Sequence, residues 1–390
     1  MHPGKDILKT PFYDVEVGVL EKLNPGTALI PITSAVGWEI LKNVATSPKL
    51  GAWGELAANP TSGEIIFNDD TRPYMTENSS YDLILRGGHI QRYELLEDAR
   101  QGNPIYLKTA EYLASSRMDS KAFDHKKPRI VYQEGSAIDA WRRVITTYLP
   151  AGYICGHKVC YFIDYKVNQF CLLAVFGSRL INWLVESLSS TNSLPAYLIS
   201  SLPFPRFVFR TPAAQREVLT QEAQSLVMAS TQPALLKFVD ARLSATPKES
   251  DVVHDLLILL AQQMIELNKQ KQRETQRFLG WLEGILKASA NEMTGKSKLR
   301  NYIGDYQKGE PEVSQEELED ILYKNRNKLG ISLSEARPMA KIRDEYEKSL
   351  AVLRPLKSRL AWIDNLIDQI VYRLYGLTDE EIHVVEGKAE

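Results

Sequence analysis

The sequence predicts a mixed α/β fold, in which an α/β (α+β) domain is followed by a long antiparallel helical pair of the coiled-coil type. Short apolar runs separated by Gly, Pro, Asn and Asp fill residues 51–125, which is typical of strands joined by turns. Residues 251–287 lack proline and carry apolar side chains at helical spacing. Residues 339–375 carry Leu and Ile in heptads, which indicates a second long helix.

Composition sets limits on the class of protein. The 390 residues are 44% hydrophobic and 25% charged, which is ordinary for a globular protein of two or three domains. A net charge of -2 excludes an all-over basic coat, so any nucleic-acid contact must be a local patch. Three cysteines do not make a disulfide framework. Without a signal-peptide pattern or an apolar run near ~18 residues, we expect a cytoplasmic protein that contacts no membrane.

The elements are predicted in order along the chain. Prolines make residues 1–28 an extended lead-in, and a short helix capped by Ser34 follows. Gly87 and Gly88 permit a tight turn in the irregular β-rich part. The predicted divisions are a lead-in at 1–28, a DNA-binding domain at 29–207, a connecting segment at 208–250, a helical domain at 251–376 and a C-terminal tail at 377–390.

The stretch 126–163 is central to the prediction. Strands are expected at 130–132 and within 153–163, where β-branched and aromatic residues concentrate. They bracket Arg142 and Arg143, which are expected on a helix. Because adjacent helical residues cannot both face one partner squarely, one arginine is expected to contact DNA and the other to pair with an acid such as Asp139. A buried helix is predicted over 170–190.

The second long helix carries an apolar seam. Two long helices joined by a charged excursion at 288–338 favour an antiparallel pair, and Pro355 is expected to kink the second helix or to open a new one. Gly376 is a predicted C-terminal cap. Exposed on the helix, the seam would provide a contact for a partner or for a second copy of the chain; its residues are Leu353, Leu356, Leu360, Ile363, Ile367, Ile370 and Leu374.

The sequence contains no complete motif of a catalytic or metal-binding site. Residues 103–106 read Asn-Pro-Ile-Tyr and lack the second proline of an adenine methyltransferase loop. A nuclease reading of Glu386 and Lys388 has no supporting strand, and no P-loop or dinucleotide fingerprint occurs. Cysteines 155, 160 and 171 with His157 miss the spacing of structural zinc. We therefore expect no metal, no cofactor and no enzyme activity in this chain by itself.

A basic, aromatic-interleaved surface is the pattern that remains. Residues 121–166 hold eight Lys or Arg against four acids. Lys and Arg neutralise DNA phosphates, and Arg or Gln can pair with base edges, although any single lysine could equally be a solvated surface residue. Phosphate contacts are predicted for Lys126, Lys127, Lys158 and Lys166, and base contacts for Arg86, His89, Gln91, Arg129 and Arg142 or Arg143, with Arg92 and Tyr132 completing the DNA-binding set.

Several runs resemble one family of proteins in order and spacing. LILRGGHIQRYEL, KPRIVYQEG, LPAGYICGHKVCYFI, NQFCLLAVFGSRLINWL and YLISSLPFP resemble the C-terminal specificity domain of Taq-type adenine methyltransferases and type IIG restriction-modification enzymes. LLAQQMIELNKQKQRETQRFLGWLEG and LIDQIVYRLYGLTDEEIHVVEG resemble the helical region that follows it. Together the runs cover most of residues 30–387.

The resemblance implies a target-recognition domain that enters the DNA major groove, with a helical pair like that of type I specificity subunits. It implies a specificity module of a restriction-modification or related phage-defence system, which directs a DNA adenine methyltransferase or endonuclease. The catalytic regions of the single-chain enzymes have no counterpart here, so a separate enzyme subunit or a homodimer is expected to complete it. Two alternatives stay open: a helical scaffold that does not bind DNA, and a self-contained nuclease or methyltransferase.

Overall fold

The computed structural model describes residues 14–24, 30–31, 33–51, 58–96, 102–116, 120–332 and 336–387. Its contacts divide the chain into one unit of residues 1–261 and 367–390 and a second of residues 262–366. The predicted mixed α/β class is confirmed. The first unit extends to residue 261 and includes the C-terminal residues, whereas the predicted DNA-binding domain ends at residue 207. Most of the predicted lead-in lies outside the described residues, and its described part contains a helix.

The strands all belong to the first unit, and the helices are spread over both units. The strands are β1 Asn59–Thr61, β2 Met75–Thr76, β3 Asp82–Leu85, β4 Ile90–Gln91, β5 Glu94–Leu95, β6 Tyr106–Leu107, β7 Arg129–Gln133, β8 Thr146–Leu149, β9 Ile154–Cys155 and β10 Val159–Ile163. The helices are α1 Val17–Leu23, α2 Ala35–Val44, α3 Thr109–Ala114, α4 Gln169–Phe176, α5 Arg179–Leu188, α6 Ala196–Ser201, α7 Ala213–Met228, α8 Gln232–Ser244, α9 Ser250–Leu286, α10 Lys296–Arg300, α11 Gln315–Lys324, α12 Ala336–Tyr375 and α13 Asp379–Val385.

The larger sheet of the first unit has the order β1-β10-β7-β8, with every neighbouring pair antiparallel. A smaller sheet has the order β2-β6-β3-β9, in which β3 and β9 are parallel. Both strands predicted around residues 126–163 are therefore present, although the second is divided into β9 and β10.

Both faces of the larger sheet are covered, because alternate side chains of a strand point to opposite faces. On one face Tyr132 packs against Phe162 and against Phe176 of α4. On the other face Val131 and Tyr161 belong to a buried cluster that includes residues of β3, β4 and β9. A large ligand such as a DNA duplex can therefore approach the two ends of these strands but neither face of the sheet.

The helix predicted over residues 170–190 is two helices, α4 and α5. The Ser178 hydroxyl caps α5 by accepting from the Ile181 N–H at 3.5 Å, and such capping residues start a new helix. At Gly177 a side chain would bring its Cβ to within 2.9 Å of the Leu173 carbonyl oxygen. The break therefore follows from a glycine and a serine that apolar periodicity does not detect. The described part of the chain has no single helix that is long and apolar enough to cross a membrane.

The second unit is built on α9 and α12. Residue numbers rise on α9 as they fall on α12 along three side-chain contacts, which shows that this part of the pair is antiparallel. The contacts are Gln263 with Arg359 at 3.4 Å, Glu274 with Ser349 at 2.5 Å and Arg277 with Glu345 at 2.5 Å. The helix α12 runs through Pro355 without interruption, so no new helix begins there.

The excursion between the long helices folds against them. Tyr302 from the excursion packs its ring 4.9 Å from Phe278 of α9 and 5.4 Å from Tyr346 of α12. The Tyr346 hydroxyl donates to the Val313 carbonyl at 2.6 Å. Although residues 288–338 are highly charged, they form a small helical subdomain that contributes buried apolar residues, including Tyr302, to the core of the second unit.

The predicted partner seam on α12 requires correction. Five of its residues are buried inside the chain, namely Leu353, Leu360, Ile363, Ile367 and Ile370, and Leu356 and Leu374 are half-buried. A heptad pattern reports that one face of a helix is apolar and does not say whether that face is covered by the same chain. The seam is consequently not an exposed surface for a partner. Gly376, with φ 68°, does follow the end of α12 as predicted.

Candidate nucleic-acid interface

The strand register separates the predicted phosphate-binding lysines into two groups. Because β7 and β10 are antiparallel, with Val131 opposite Tyr161, the segment before β7 and the segment after β10 lie at one end of the sheet. Lys126, Lys127 and Lys166 belong to those segments, and we call this the lysine end. Lys158 precedes β10 and lies at the opposite end. The five residues of β7 separate the two ends by about 17 Å.

The lysine end carries exposed positive charge. Lys126, Lys127 and Lys166 are exposed, and none forms an ion pair with another described residue. Lys126 lies over the Phe123 ring at 4.7 Å. The Gly152 N–H donates to the His125 carbonyl at 2.7 Å, which brings the exposed Tyr153 close to the lysines.

Carboxylates near the lysine end have other partners. The Tyr161 hydroxyl donates to the Asp124 carboxylate at 2.6 Å, and the Asn59 amide donates to Asp164 at 3.4 Å. Neither acid forms an ion pair with the three lysines. The positive charges therefore remain available to an external anion.

Lys158 is in a different situation. Its Nζ lies 3.1 Å from the Glu134 Oε1 atom, and Glu134 also accepts from the Ser193 hydroxyl at 2.9 Å. A phosphate would have to compete with this carboxylate. The prediction that all four lysines form one phosphate-binding set is therefore wrong in its geometry.

Arg129 is buried and forms an ion pair with Glu64. Its guanidinium also donates to the carbonyls of Tyr153 at 2.9 Å and Asp124 at 2.8 Å. The Cys155 N–H donates to the second Glu64 oxygen at 2.9 Å. Burial raises the pKa of the Glu64 carboxyl, and the adjacent Arg129 charge opposes that shift. Arg129 therefore holds loops of the domain together. The prediction that it contacts a DNA base is wrong, because its side chain is buried.

Three more members of the predicted DNA-binding set are turned inward onto helix ends. Arg92 and Arg142 both donate to the Gly177 carbonyl, at 2.8 and 2.5 Å, at the C-terminal end of α4. Arg143 donates to the carbonyls of Ser189, at 2.7 Å, and Thr191, beyond the end of α5. Cations are favourable there because the last carbonyls of a helix carry partial negative charge. All three arginines are buried.

The placement of Arg142 and Arg143 corrects the prediction in two respects. Residues 140–145 form no helix, so the argument from helical spacing does not apply. Neither arginine faces solvent, and Arg143 is only 1% exposed. The two arginines were predicted at the surface because they belong to a local excess of positive charge. An arginine is costly to bury without partners, and here carbonyl groups distant in sequence supply them.

Two further members of the predicted DNA-binding set are also buried. The His89 Nδ1 atom accepts from the Arg86 N–H at 2.9 Å, and Tyr132 lies in the aromatic cluster under α4. Both are excluded from DNA contact by this packing, because their side chains are covered.

Arg86 and Gln91 remain partly accessible. Arg86 donates to the Asn103 carbonyl at 2.7 Å, in the Asn-Pro-Ile-Tyr segment at residues 103–106. Both residues lie at the end of the sheet opposite the lysine end, since the Leu85 carbonyl accepts from Gly156 and the Ile90 carbonyl accepts from Gln133. The structure therefore does not bring them together with the lysines.

The cysteines are buried and unpaired. Burial raises the pKa of Cys160 to about 11 and raises those of Cys155 and Cys171 as well. The described residues contain no group of three or more His, Cys, Asp or Glu that could hold a metal ion.

We expect these thiols to be unreactive in the folded protein. At pH 8 a chromogenic disulfide reagent should modify none of them within minutes, because only the thiolate reacts and burial disfavours it. In concentrated guanidinium all three should react at once. Fast reaction of even one thiol without denaturant would contradict the buried placement.

A comparison with protein-family models found no match, and a comparison with curated proteins found none either.

Proposed function

We propose that this chain recognises a specific sequence in double-stranded DNA and serves as the specificity module of a restriction-modification or related phage-defence system. On this proposal residues 29–207 form a target-recognition domain, and a separate DNA adenine methyltransferase or endonuclease acts at the chosen site. The lysine end carries the proposal, because its three exposed lysines have no carboxylate partner among the described residues. The ordered resemblance of the sequence runs supports the same function.

The fold narrows where a duplex can lie. Since both faces of the larger sheet are covered, DNA would approach the lysine end and place phosphates on Lys126, Lys127 and Lys166. Tyr153 lies beside them and can stack on a sugar or a base. Phosphate contacts position a duplex, whereas sequence discrimination requires contacts to base edges from neighbouring side chains. Arg86 and Gln91 are not part of this contact, since they lie at the other end.

A second candidate function is an interaction scaffold that does not bind DNA. The burial of Arg92, Arg129, Arg142 and Arg143 favours it, because all four belong to the predicted DNA-binding set. The two candidates differ in a measurable property, which is the affinity for a selected duplex.

Selection from a library of random duplexes tests the proposal. The purified full chain should enrich one short sequence, and fluorescence anisotropy at 0.15 M salt should show that duplex binding at least ~1,000-fold more tightly than a scrambled one. Affinity should fall steeply with salt. Absence of enrichment, or equal affinity for both duplexes, would favour the scaffold.

The same preparation separates the module from an enzyme. We expect neither cleavage of the selected duplex with Mg²⁺ nor methyl transfer to it from S-adenosylmethionine by the chain alone. Cleaved or methylated duplex would contradict the proposed function and show that the chain is an enzyme. Loss of that activity on substitution of residues in this chain would exclude a contaminating enzyme.

A further inference from the structure

The end of the sheet opposite the lysine end exposes large apolar side chains on two loops. Ile66 and Phe67 are 55% and 37% exposed, and Ile138 and Trp141 are 53% and 44% exposed. We call these four residues the apolar end. Several large apolar side chains exposed at one end of a domain are typical of protein-interaction sites, whereas single scattered ones are ordinary.

A chain of contacts connects the two loops. The Phe67 ring lies 5.5 Å from the His157 ring in an edge arrangement. The next residue, Lys158, is paired with Glu134 at 3.1 Å, which immediately follows β7 and leads into the second loop. Both loops therefore lie at the same end of the sheet and are linked through the turn that holds His157 and Lys158.

The second loop is held by residues just before α6. Ser136 donates its N–H to the Asn192 carbonyl at 3.1 Å, and the Ile138 N–H donates to the Asn192 side-chain oxygen at 2.9 Å. Immediately after Trp141, the inward-facing Arg142 and Arg143 fix the loop to the ends of α4 and α5. The first loop is fixed as well, since the Thr71 N–H donates to the Asn68 side chain at 3.1 Å.

This fixation matters for binding. A loop that is already ordered loses little conformational entropy when a partner covers it. Beside Trp141 a cleft of about 160 Å³ is lined by Trp183, Arg179, Glu186 and the end of α13, which is room for a single side chain. Trp and Arg are the residue types that most often dominate the energy of interfaces.

The charges around the apolar end identify the kind of occupant. The cations Lys158 and Arg72 are paired with Glu134 and Asp69. In the cleft beside Trp141, burial raises the pKa of the Glu186 carboxyl, and the charge of Arg179 opposes that rise. Arg86 donates to the Asn103 carbonyl at 2.7 Å. Asp70 and Asp139 are exposed and form no ion pair with another described residue. Unpaired acids repel DNA phosphates, and a symmetric dimer through this patch would bring two copies of the acids together. They favour a protein that presents Lys or Arg.

We propose that the apolar end docks a second, different protein whose contacting surface is apolar with Lys or Arg at its rim. This surface takes the place of the helical seam, which is occupied within the chain. The proposal does not depend on DNA binding. Phe67, Ile138 and Trp141 would provide most of the contact, and Asp70 and Asp139 would select the partner's charge.

Site-specific cross-linking in the cells that naturally make this protein tests whether the apolar end docks a different protein. A photoreactive benzoylphenylalanine is placed at position 67, at position 141 or, as a control, at Val218, which is 63% exposed on α7. We expect one protein to be captured at 67 and at 141 and not at 218. Capture alone is insufficient, so that protein is then purified and its Kd for the full chain is measured by calorimetry.

The variants give the decisive result. I138D should weaken that Kd by about 30-fold or more, as expected for an interface anchor, while V218D leaves it unchanged. D70K with D139K should also weaken it, and thermal unfolding should confirm that every variant is folded. Cross-links only to a second copy of this chain, only to DNA, or equally at all three positions would overturn the proposal. So would an unchanged Kd for I138D.

Discussion

Replacing Arg129 by methionine should lower the free energy of unfolding by about 3–5 kcal/mol, the loss typical when one partner of a buried ion pair is removed. The Glu64 carboxylate is fully buried beside Arg129, so the variant must either bury an unpaired charge or protonate the carboxyl. Denaturation by urea, followed by circular dichroism, gives the free energy of unfolding. A loss below 1 kcal/mol would contradict the assigned role.

The loss should depend on pH with a definite sign. Burial raises the pKa of Glu64 above its ordinary value of 4.5, and removal of Arg129 should raise it further. A carboxyl with a raised pKa binds more protons when folded than when unfolded, so the variant should regain stability as pH falls from 8 towards 4.5. Glu64→Gln in the Arg129→Met background should also restore part of the loss, because the amide carries no charge.

The exposed pair of Lys158 and Glu134 provides the matched control. The Lys158 side chain is 55% exposed, so Lys158→Met should change the free energy of unfolding by less than 1 kcal/mol. Both Arg129→Met and Lys158→Met remove one partner of an ion pair, but only the first pair is buried. A difference between their free energies of unfolding therefore measures the effect of burial.

Changing Lys126, Lys127 and Lys166 together to glutamine should weaken binding of the selected duplex roughly 100-fold at 0.15 M salt. The slope of log affinity against log salt is negative, and each lost phosphate contact should reduce its magnitude by about 0.9, or by about 2.7 for the three. Because the side chains are exposed, the free energy of unfolding should stay within about 0.5 kcal/mol of the wild type. Anisotropy titrations at several salt concentrations measure affinity and slope together.

A second triple variant distinguishes this contact from a general effect of charge. Lys298, Lys324 and Lys348 are exposed and paired with carboxylates in the helical unit, and changing them to glutamine removes the same net charge. The slope should then be unchanged. An equal loss for both triple variants would show that the lysine end is not the DNA contact, even if the chain binds DNA.

Periodicity gave the long helices to within a few residues. The predicted spans 251–287 and 339–375 correspond to α9 Ser250–Leu286 and α12 Ala336–Tyr375, because a 3.6-residue pattern sustained over many turns has few alternative explanations. The same reasoning joined α4 and α5 into one helix, since a single serine cap leaves the apolar pattern intact. It also could not distinguish a seam covered by the chain itself from one awaiting a partner.

The candidate site was less accessible to prediction, and the arginines show why. Arg92 is bonded to a carbonyl 85 residues away, and Arg129 to a carboxylate 65 residues away. Nothing local to either arginine signals those partners. A charge excess along the chain therefore indicated a basic surface, although the arginines of that stretch bond to a carboxylate and to carbonyl groups inside the domain.

The sequence by itself determined the mixed α/β class, the two long helices, the strands around residues 126–163 and the excess of positive charge there. These depend on composition and short-range spacing. Only the tertiary structure decided which charges are exposed, because side-chain direction depends on strand register and on partners distant in the chain. That register placed Lys126, Lys127 and Lys166 at one end of the sheet and the apolar end at the other.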